Sequence, residues 1–582
     1  MARWLVVLAV VFTLFANMPA QTVATADDQK AKEKLEKQTA IADAILTDVT
    51  GLALSENRAY AYAKLGGMSW KTDRKTAASM FQRAVGEIAD AQSMAESEAK
   101  IRPAAAQIEF RISQSIRPSI LTAIAAFDAE FALDSMFRTR NAMIQRALTQ
   151  ATMPAGKVSE LSNSGPAIVR NELNLEQRLT RLAAEQNPER AIKMLQESIK
   201  KGVSTETLSM LKKLFEKDPE SANSLADDTL DKLQSASFSG DPADADNVSL
   251  STMILADFIR PKKKPGTKEL KFDEAQLRSL AQKLVDFTLT QDPRFGMQRF
   301  AQVIAIAEKF SPGSVKALKK IQKSSMPRAF QAMDPAVRGL IDGKTSPGQM
   351  VADAEKLSAD LRPLVYQGAA NKMAQKGDLT GAADLLNSNF SGQALENATN
   401  TINAAYANYL IGQGKFEEAD KFIGDFPETA RRQAYLNLAT RAYAKNPGEN
   451  LVFAVGVLRK VRQLMPDRPA DSNDLVQFMQ LAAACAPIVP DEAFNTLEPL
   501  MPQLNAIADA GAVFQGFQGN PGVRSGEFVM GTGGTYGFQF DQPTLRALAK
   551  ADLDRTLKLI ENLQRREIRI TLKLQLAESS LN

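Results

Sequence analysis

The stretch from Thr401 to Phe426 constrains the fold more than any other part of the sequence. Its first half spaces apolar residues three and four positions apart, as on one face of a helix: Ile402, Ala405, Tyr406, Tyr409 and Leu410. Gly412-Gln413-Gly414 then breaks the helix, because glycine adopts the left-handed backbone of a tight turn without steric cost. A second amphipathic helix ends before Pro427, and its apolar face holds Phe416, Ala419, Ile423 and Phe426. Such a hairpin is antiparallel and needs similar neighbours to bury its apolar faces.

The same unit recurs on both sides of this stretch. Upstream, Gly377 in Lys376-Gly377-Asp378-Leu379 occupies the place of Gly414, 37 residues earlier. Downstream, Asn446-Pro447 forms a turn between two further apolar faces. The first face consists of Tyr435, Leu438, Ala439, Ala442 and Tyr443, and the second of Leu451, Ala454, Val455 and Leu458. Three successive hairpins at a similar period indicate a helical solenoid.

Proline turns extend the pattern toward the N-terminus. Asn187-Pro188 and Asp218-Pro219 are 31 residues apart, and Asp292-Pro293 follows the second after 74 residues. Asn or Asp caps the following helix, and proline at its first position loses no hydrogen bond. The sequence therefore predicts an all-α fold, a superhelical solenoid of antiparallel helix hairpins with a period of about 31–37 residues.

This pattern resembles the tetratricopeptide and related α-solenoid repeats. Ala77, Phe81 and Ala84 match the small-aromatic-small spacing of the second helix of such a repeat, and Asp73 stands at the turn. Gly414, Phe416 and Ala419 match the turn and the start of the second helix. No tryptophan or Leu-Gly pair stands at the matching first-helix positions near residue 403, so the resemblance concerns architecture and is strongest over residues 360–465. It implies a superhelix whose concave groove holds a protein partner.

The N-terminal residues 1–26 are typical of a signal peptide. Arg3 precedes a short apolar run, Trp4 to Phe15, and a small polar stretch in which cleavage is expected after Ala20 or Ala26. About twelve apolar residues are too few to span a bilayer, which needs about 20. We therefore expect an exported chain, periplasmic or secreted, without an integral membrane segment after signal removal.

The remaining chain divides into four predicted regions. Residues 27–260 and 266–512 form N-terminal and C-terminal helical-repeat regions, separated by a loop that contains Pro261-Lys262-Lys263-Lys264-Pro265. Residues 513–543 are rich in glycine and aromatic side chains and predict a mobile loop, or alternatively an ordered lid or β-hairpin. Residues 544–582 predict a terminal helical hairpin.

The composition excludes several kinds of chemistry. Histidine is absent and Cys485 is the only cysteine, which excludes histidine-dependent triads, histidine zinc sites and cysteine-cluster metals. Cys485 lies in an apolar helical run and is predicted to be buried and unreactive. Three Ser-x-x-Lys matches are predicted to be surface helix positions, since the companion motifs are missing: Ser97/Lys100, Ser198/Lys201 and Ser209/Lys212.

No catalytic, cofactor-binding or metal-binding residue is predicted. The only cluster suited to calcium consists of Asp241, Asp244 and Asp246, and it lacks a following bidentate glutamate. Asn247, Asn389 and Asn397 fit the N-glycosylation pattern but do not distinguish between functions.

Function is expected to be partner binding. The 71 basic and 67 acidic residues are balanced, which argues against nucleic acid as a partner. We expect a non-enzymatic exported scaffold that binds a protein or peptide in a concave groove, with unidentified binding residues. Two alternatives stay open: an envelope enzyme acting on cell-wall glycan with groove carboxylates, and a purely structural envelope protein. A carboxyl group with a raised pKa in a cleft would favour the enzyme.

Overall fold

The computed structural model describes residues 26–101, 106–151, 165–239, 244–260, 269–290, 297–325, 340, 345–520, 522–531, 540 and 542–581. Apart from Ala26, the predicted signal peptide lies outside these residues, as does the Asp292-Pro293 turn. Among the described helices, none is long and apolar enough to cross a membrane.

The described chain is almost entirely helical, and its helices are numbered here in chain order. The first are α1 (Ala26–Val49), α2 (Ser55–Ser69), α3 (Arg74–Ile101), α4 (Ala106–Arg111), α5 (Arg117–Ala125), α6 (Ala129–Arg138) and α7 (Ala142–Ala151). A π-helix, Ile112–Ile116, joins α4 to α5. Then follow α8 (Gly165–Ala183), α9 (Pro188–Lys201), α10 (Thr207–Phe215), α11 (Pro219–Ser235), α12 (Ala245–Ile259), α13 (Glu274–Thr290), α14 (Met297–Phe310) and α15 (Val315–Ser325).

The second half of the chain continues in the same way. It contains α16 (Pro347–Ala354), α17 (Arg362–Gln375), α18 (Leu379–Asn389), α19 (Gly392–Gln413), α20 (Phe416–Gly424), α21 (Glu428–Lys445), α22 (Pro447–Gln463), α23 (Ser472–Cys485), α24 (Pro490–Leu497) and α25 (Met501–Phe517). After them come strands β1 (Val523–Arg524) and β2 (Glu527–Phe528), and then α26 (Gln542–Ala551), α27 (Leu553–Glu561) and α28 (Arg566–Leu581). The prediction of an all-α fold is thus confirmed, apart from one short antiparallel strand pair in which Val523 lies opposite Phe528.

Most helices pack against those one or two places away in sequence. Helix α17, for example, contacts α16, α18 and α19, and α21 contacts α19, α20, α22 and α23. Small side chains at these contacts let the helices approach closely, and the alanines buried there include Ala370, Ala374, Ala382, Ala398, Ala439 and Ala454.

The predicted turns have the expected local chemistry. Gly414 ends α19 with φ +78°, and α20 begins two residues later. Asp378 accepts a hydrogen bond from the Gly381 amide at 2.9 Å, and Asn187 accepts one from the Arg190 amide at 3.2 Å. These side chains satisfy amides that have no partner in the first turn of a helix. One apolar assignment is wrong: Leu451 is 40% exposed, because Ala454, Val457 and Leu458 form the buried face of α22 instead.

The two ends of the described chain meet. Helices α1 and α2 pack against α28, and β2 contacts α28 as well. Ile41, Ile45 and Val49 of α1 belong to the same buried apolar cluster as Ile568 and Ile570 of α28. Helix α28 thus covers the apolar face of α1. We call this region, formed by α1, α2, the β1–β2 pair and α28, the junction.

Buried ion pairs join the two sides of the junction. Lys573, fully buried on α28, donates to Asp48 of α1 with Nζ and Oδ2 2.7 Å apart, and Arg569 also pairs with Asp48. Arg524 of β1 pairs with Glu56 of α2 at 2.7 Å, and both side chains are buried. Charges so far from water depend on their partners, so these pairs fix how the two ends of the chain fit together.

The strand pair also caps α2. The Glu527 carboxylate accepts hydrogen bonds from the backbone amides of Ala53 at 2.6 Å and Leu54 at 3.1 Å, and from the Asn57 side chain at 3.2 Å. Leu54, at the N-cap of α2, supplies no side-chain cap. A carboxylate at a helix N-terminus satisfies free amides and interacts favourably with the helix dipole. Glu527, which is 473 positions from Leu54 in sequence, thus caps α2 in place of a local side chain.

Candidate functional site

A cavity of about 450 Å³ opens among α22, α23, α24 and the segment that joins α22 to α23. Helix α22 contributes Val455, Leu458, Arg459 and Arg462, which are spaced three and four residues apart and so share one face. Helix α23 contributes Phe478, Leu481 and Cys485, spaced in the same way. Arginines line it beside apolar residues, so we call it the arginine cavity.

The floor of the arginine cavity is apolar and buried. Leu458, Phe478, Leu481 and Leu500 line it, and each is at most 4% exposed. Such a surface favours an apolar group over water, at about 25 cal/mol per Å² covered. The volume falls in the range of about 300–1,000 Å³ that is common for ligand pockets.

Arg462 organises the segment beside the cavity. Its guanidinium donates to the backbone oxygens of Pro466 at 3.0 Å and Asp467 at 3.4 Å, and its Cζ lies 5.4 Å from the centre of the Phe478 ring. Asp471 accepts from the amides of Asn473 and Asp474 and so starts α23. These contacts hold in place the segment between α22 and α23, which carries the rest of the rim. They therefore indicate a preformed site.

Arg459 and Arg468 are available to a ligand. Both line the cavity and are exposed, and neither forms a hydrogen bond or ion pair with any residue the structure describes. A guanidinium has five donors and binds carboxylates in a fork. This part of the rim can therefore receive an anionic group.

Two acidic residues beside the cavity, Asp491 of α24 and Glu498 just after α24, pair with a residue outside it. Arg555 of α27 pairs with Asp491 at 3.0 Å and with Glu498 at 2.8 Å, and its Cζ lies 4.4 Å from the centre of the Phe494 ring. Glu492 and Asp467 are the acidic residues among the described lining of the cavity. The two acids and three arginines give the lining a small positive excess.

Cys485 lies at the cavity floor as an unreactive thiol. It is buried, and burial together with the charge of Glu492 raises its pKa to about 12. The thiol therefore stays protonated at neutral pH and is a poor nucleophile. The structure agrees with the interpretation of Cys485 as a small buried side chain.

Asp246 is the carboxyl group with a raised pKa that lies in a cavity. It belongs to the first turn of α12 and lines a space of about 350 Å³ together with Arg170, Lys201 and Lys232. Burial raises its pKa, and a hydrogen bond from Asn174 at 2.9 Å opposes the shift in part. Among the described residues that line this space, Asp246 is the only acid. A pair of carboxyl groups, which most glycosidases require, is not found in this lining.

Of the four other carboxyl groups with raised pKa values among the described residues, Asp227 is exposed and three are packed in the interior. Burial raises the pKa of Glu56, Glu109 and Glu567. Glu56 and Glu567 belong to the junction, where Arg524 and Arg565 pair with them at 2.7 Å and 3.2 Å. Glu109 accepts from the Asn141 side chain at 3.1 Å. Their environments indicate structural roles.

The predicted weak motifs have mixed outcomes. Ser97 and Ser209 are exposed as expected, but Ser198 is fully buried and accepts a hydrogen bond from the Gln177 side chain at 3.1 Å, so its prediction as a surface position is wrong. Asp241 lies outside the described residues, and Asp244 accepts from the Ser239 hydroxyl at 2.6 Å. Within the described ranges no group of three potential metal ligands is found.

The sequence analysis did not identify the arginine cavity. A usable signal was present: Arg459, Arg462 and Arg468 fall within ten residues, and Arg459 and Arg462 share a helix face with apolar residues. Their proximity to Phe478 and Leu500 depends on how α22, α23 and α24 pack, which the local pattern does not specify.

Comparison with known proteins does not assign this chain to a family. No protein-family model matches the sequence, and no curated protein matches it. The candidate site therefore rests on the residues and distances described above.

Proposed function

We propose that this chain is an exported, tetratricopeptide-like helical solenoid that binds a protein or peptide partner without catalysing a reaction. The observation that carries the proposal is the arginine cavity, which combines an apolar floor with two arginines that have no partner among the described residues. Preformed cavities of this kind receive an anchoring side chain of a partner, and the polar groups at the rim fix its orientation.

The packing of the helices supports the solenoid part of the proposal. Contacts between helices one or two places apart in sequence are the pattern of repeat proteins, which grow by addition of similar units. Gly377 and Gly414, which are 37 residues apart in the sequence, both have positive φ in the structure and both form turns between helices. Such a row of helices presents an extended surface to a partner.

Export is part of the proposal on the strength of residues 1–26 alone. Their positive start, short apolar run and small residues before Ala20 and Ala26 are typical of a cleaved signal peptide. The partner would then be a protein of the periplasm or of the medium.

Capture from the native envelope or medium tests the proposal. Immobilised mature chain is compared with Leu481→Trp, which fills the cavity, and with Arg459→Glu, which reverses a charge at an exposed position. Arg546→Glu serves as the matched control, because Arg546 is exposed on α26 and does not line the cavity. We expect one stoichiometric partner, lost with both cavity variants and retained with the control.

Two results would contradict this proposal. Retention of the same partner by both cavity variants would locate binding elsewhere on the chain. Absence of any partner from envelope and medium alike would remove support for a scaffold and favour a purely structural envelope protein.

A second candidate function has one observation in its favour, the raised pKa of Asp246 in a cavity. A carboxyl group whose pKa is raised is better suited to act as a general acid in the cleavage of a cell-wall glycan. The test is release of soluble fragments from purified cell wall by the chain and by Asp246→Asn. Turnover that disappears in the variant supports an enzyme, and no turnover by either protein eliminates this candidate.

A further inference from the structure

We infer that the arginine cavity selects an acidic peptide, with one aliphatic or aromatic side chain on the apolar floor and carboxylates on Arg459 and Arg468. This inference rests on the proposed function, since it names the chemistry of the partner segment that the scaffold binds. A peptide is the proposed ligand because it can contact the apolar floor and the two arginines at the same time, which a single small anion would not do.

The first feature is the charge of one side of the rim. Arg462 is occupied by the backbone oxygens of Pro466 and Asp467, whereas Arg459 and Arg468 have no partner among the described residues. The chain as a whole carries 71 basic and 67 acidic residues, so the pair does not follow from an excess of cations. Charge-assisted hydrogen bonds from a guanidinium to a carboxylate are about twice as strong as neutral ones.

The second feature is the floor. Leu458, Phe478 and Leu481 form a buried apolar surface below the arginines. An anion alone would leave this surface in water, and an apolar ligand alone would leave both guanidinium groups unused. A peptide that carries a large apolar side chain next to acidic residues covers the floor and pairs with the rim in the same complex.

One of the two acidic lining residues, Glu492, restricts where the carboxylates of the peptide bind; the other, Asp467, directly precedes Arg468 in the chain. Glu492 belongs to α24, whereas Arg459 belongs to α22 and Arg468 to the segment that follows it. A carboxylate placed beside Glu492 would be repelled. We therefore expect a polar or neutral residue of the peptide on the α24 side and acidic residues on the α22 side.

Three peptide probes test the inference by fluorescence anisotropy with the mature chain. Each has ten residues, an acetylated N-terminus, an amidated C-terminus and a fluorophore. The first places one leucine among Asp and Glu residues, the second replaces the acids by Asn and Gln, and the third replaces the leucine by serine. We expect the first to bind at least about tenfold more tightly than either of the others.

The variants locate the site. Arg459→Gln combined with Arg468→Gln should weaken binding of the acidic peptide at least about tenfold and leave binding of the amide peptide unchanged. Arg546→Gln, the matched control, should change neither. An increase from about 50 to about 300 mM NaCl should weaken binding of the acidic peptide to the wild-type chain and have little effect on the amide peptide.

The outcomes separate this inference from the proposed function. Equal binding of the acidic and amide peptides, abolished by Leu481→Trp, would overturn the acidic preference and leave a peptide-binding scaffold. If none of the three peptides binds, but a partner is still captured and its capture depends on Arg459, the proposed peptide chemistry is overturned and the proposed function is not. Absence of both peptide binding and a captured partner would overturn the inference and the proposed function together.

Discussion

The junction and the row of helices from α17 to α22 are held together in opposite ways. In the row, neighbours in sequence pack through alanine and aromatic contacts, such as the edge-to-face pairs of Phe422 with Tyr406 and Phe426, whose ring centres lie 5.1 Å and 5.4 Å apart. Its short-range ion pairs are exposed, as in Lys415–Glu418. At the junction, residues 525 positions apart form a buried pair, Asp48–Lys573.

Two kinds of stability thus coexist in one chain. Local apolar packing stabilises each helix of the row against its neighbours in sequence. A buried ion pair is specific, because removal of one partner leaves a charge without compensation in a place that water does not reach. The junction therefore couples the two ends of the chain, whereas the row couples only neighbours.

The largest effect is expected from Asp48→Ala. It removes the buried carboxylate partner of the fully buried Lys573 and leaves the Ala44 carbonyl oxygen and Glu561, which is 47% exposed. We expect a loss of about 4 kcal/mol in the free energy of opening at the junction. Hydrogen exchange should show faster exchange in both α1 and α28, with α17 to α22 unchanged. Unchanged exchange in α28 would contradict the coupling of the two ends.

The Asp48–Lys573 pair predicts that the stability of the junction depends on pH. Burial acts to raise the pKa of Asp48, but hydrogen bonds from Arg569 and Lys573 and the charges of both outweigh it and hold the pKa below its ordinary value. Its stabilising contribution is therefore present above the pKa of the unfolded chain, about 4, and is lost as the pH falls through the lower folded pKa.

Protection at the junction, meaning the exchange rate relative to the intrinsic rate at the same pH, should decrease under acid, and Asp48→Asn should remove that part of the dependence. Burial raises the pKa of Glu56, partly opposed by Arg524, so acidification relieves a cost there and acts with the opposite sign. The difference between the wild type and Asp48→Asn isolates the contribution of Asp48. A difference that does not change with pH would contradict the assignment.

Leu386→Ala tests the other side of the comparison. Leu386 is fully buried on α18 among the apolar residues of its neighbours. We expect a loss of about 3 kcal/mol from the cavity left behind. Faster exchange should be confined to α17, α18 and α19, with α1 and α28 protected as before. Asn387→Ala, an exposed position on the same helix, is the control and should have little effect. Spread of the effect to the junction would show that the row is not locally stabilised.

Glu527→Gln and Asp378→Ala compare the same capping chemistry at long and short range. Glu527 caps α2 from the distant strand pair, and Asp378 caps α18 from its own turn. Each substitution should cost about 1 kcal/mol. The exchange pattern should differ: Glu527→Gln should affect both α2 and the strand pair, and Asp378→Ala should affect α18 alone. Identical local patterns would mean that the Glu527 cap does not couple α2 to the strand pair.

The smallest effect is expected at the turn between α19 and α20. Gly414 has φ +78°, so Gly414→Ala should cost about 1 kcal/mol. Gly412 lies inside α19 with open space around its Cβ position, so Gly412→Ala should stabilise the helix by up to about 1 kcal/mol. Thermal unfolding of the two variants should shift in opposite directions. Shifts of the same sign would contradict the backbone argument.

The candidate site was only partly accessible from sequence. Burial of Cys485 follows from its apolar helical surroundings, and the structure agrees with it. The absence of histidine excluded whole classes of catalysis without any coordinates. The surface prediction failed at Ser198, because the Ser-x-x-Lys pattern carries no information about which face of α9 packs against Gln177.

Local sequence signals specify where many of the helices begin and end. Glycine conformations, proline turns and Asn or Asp caps act within a few residues, as at Gly414 and Asn187, and so they can be recognised locally. Three features depend instead on tertiary packing: α1 meets α28, Glu527 caps α2, and three arginines lie beside a shared apolar floor. These contacts join residues far apart in sequence. No local periodicity encodes them, because a hydrophobic face specifies burial but not the surface that covers it.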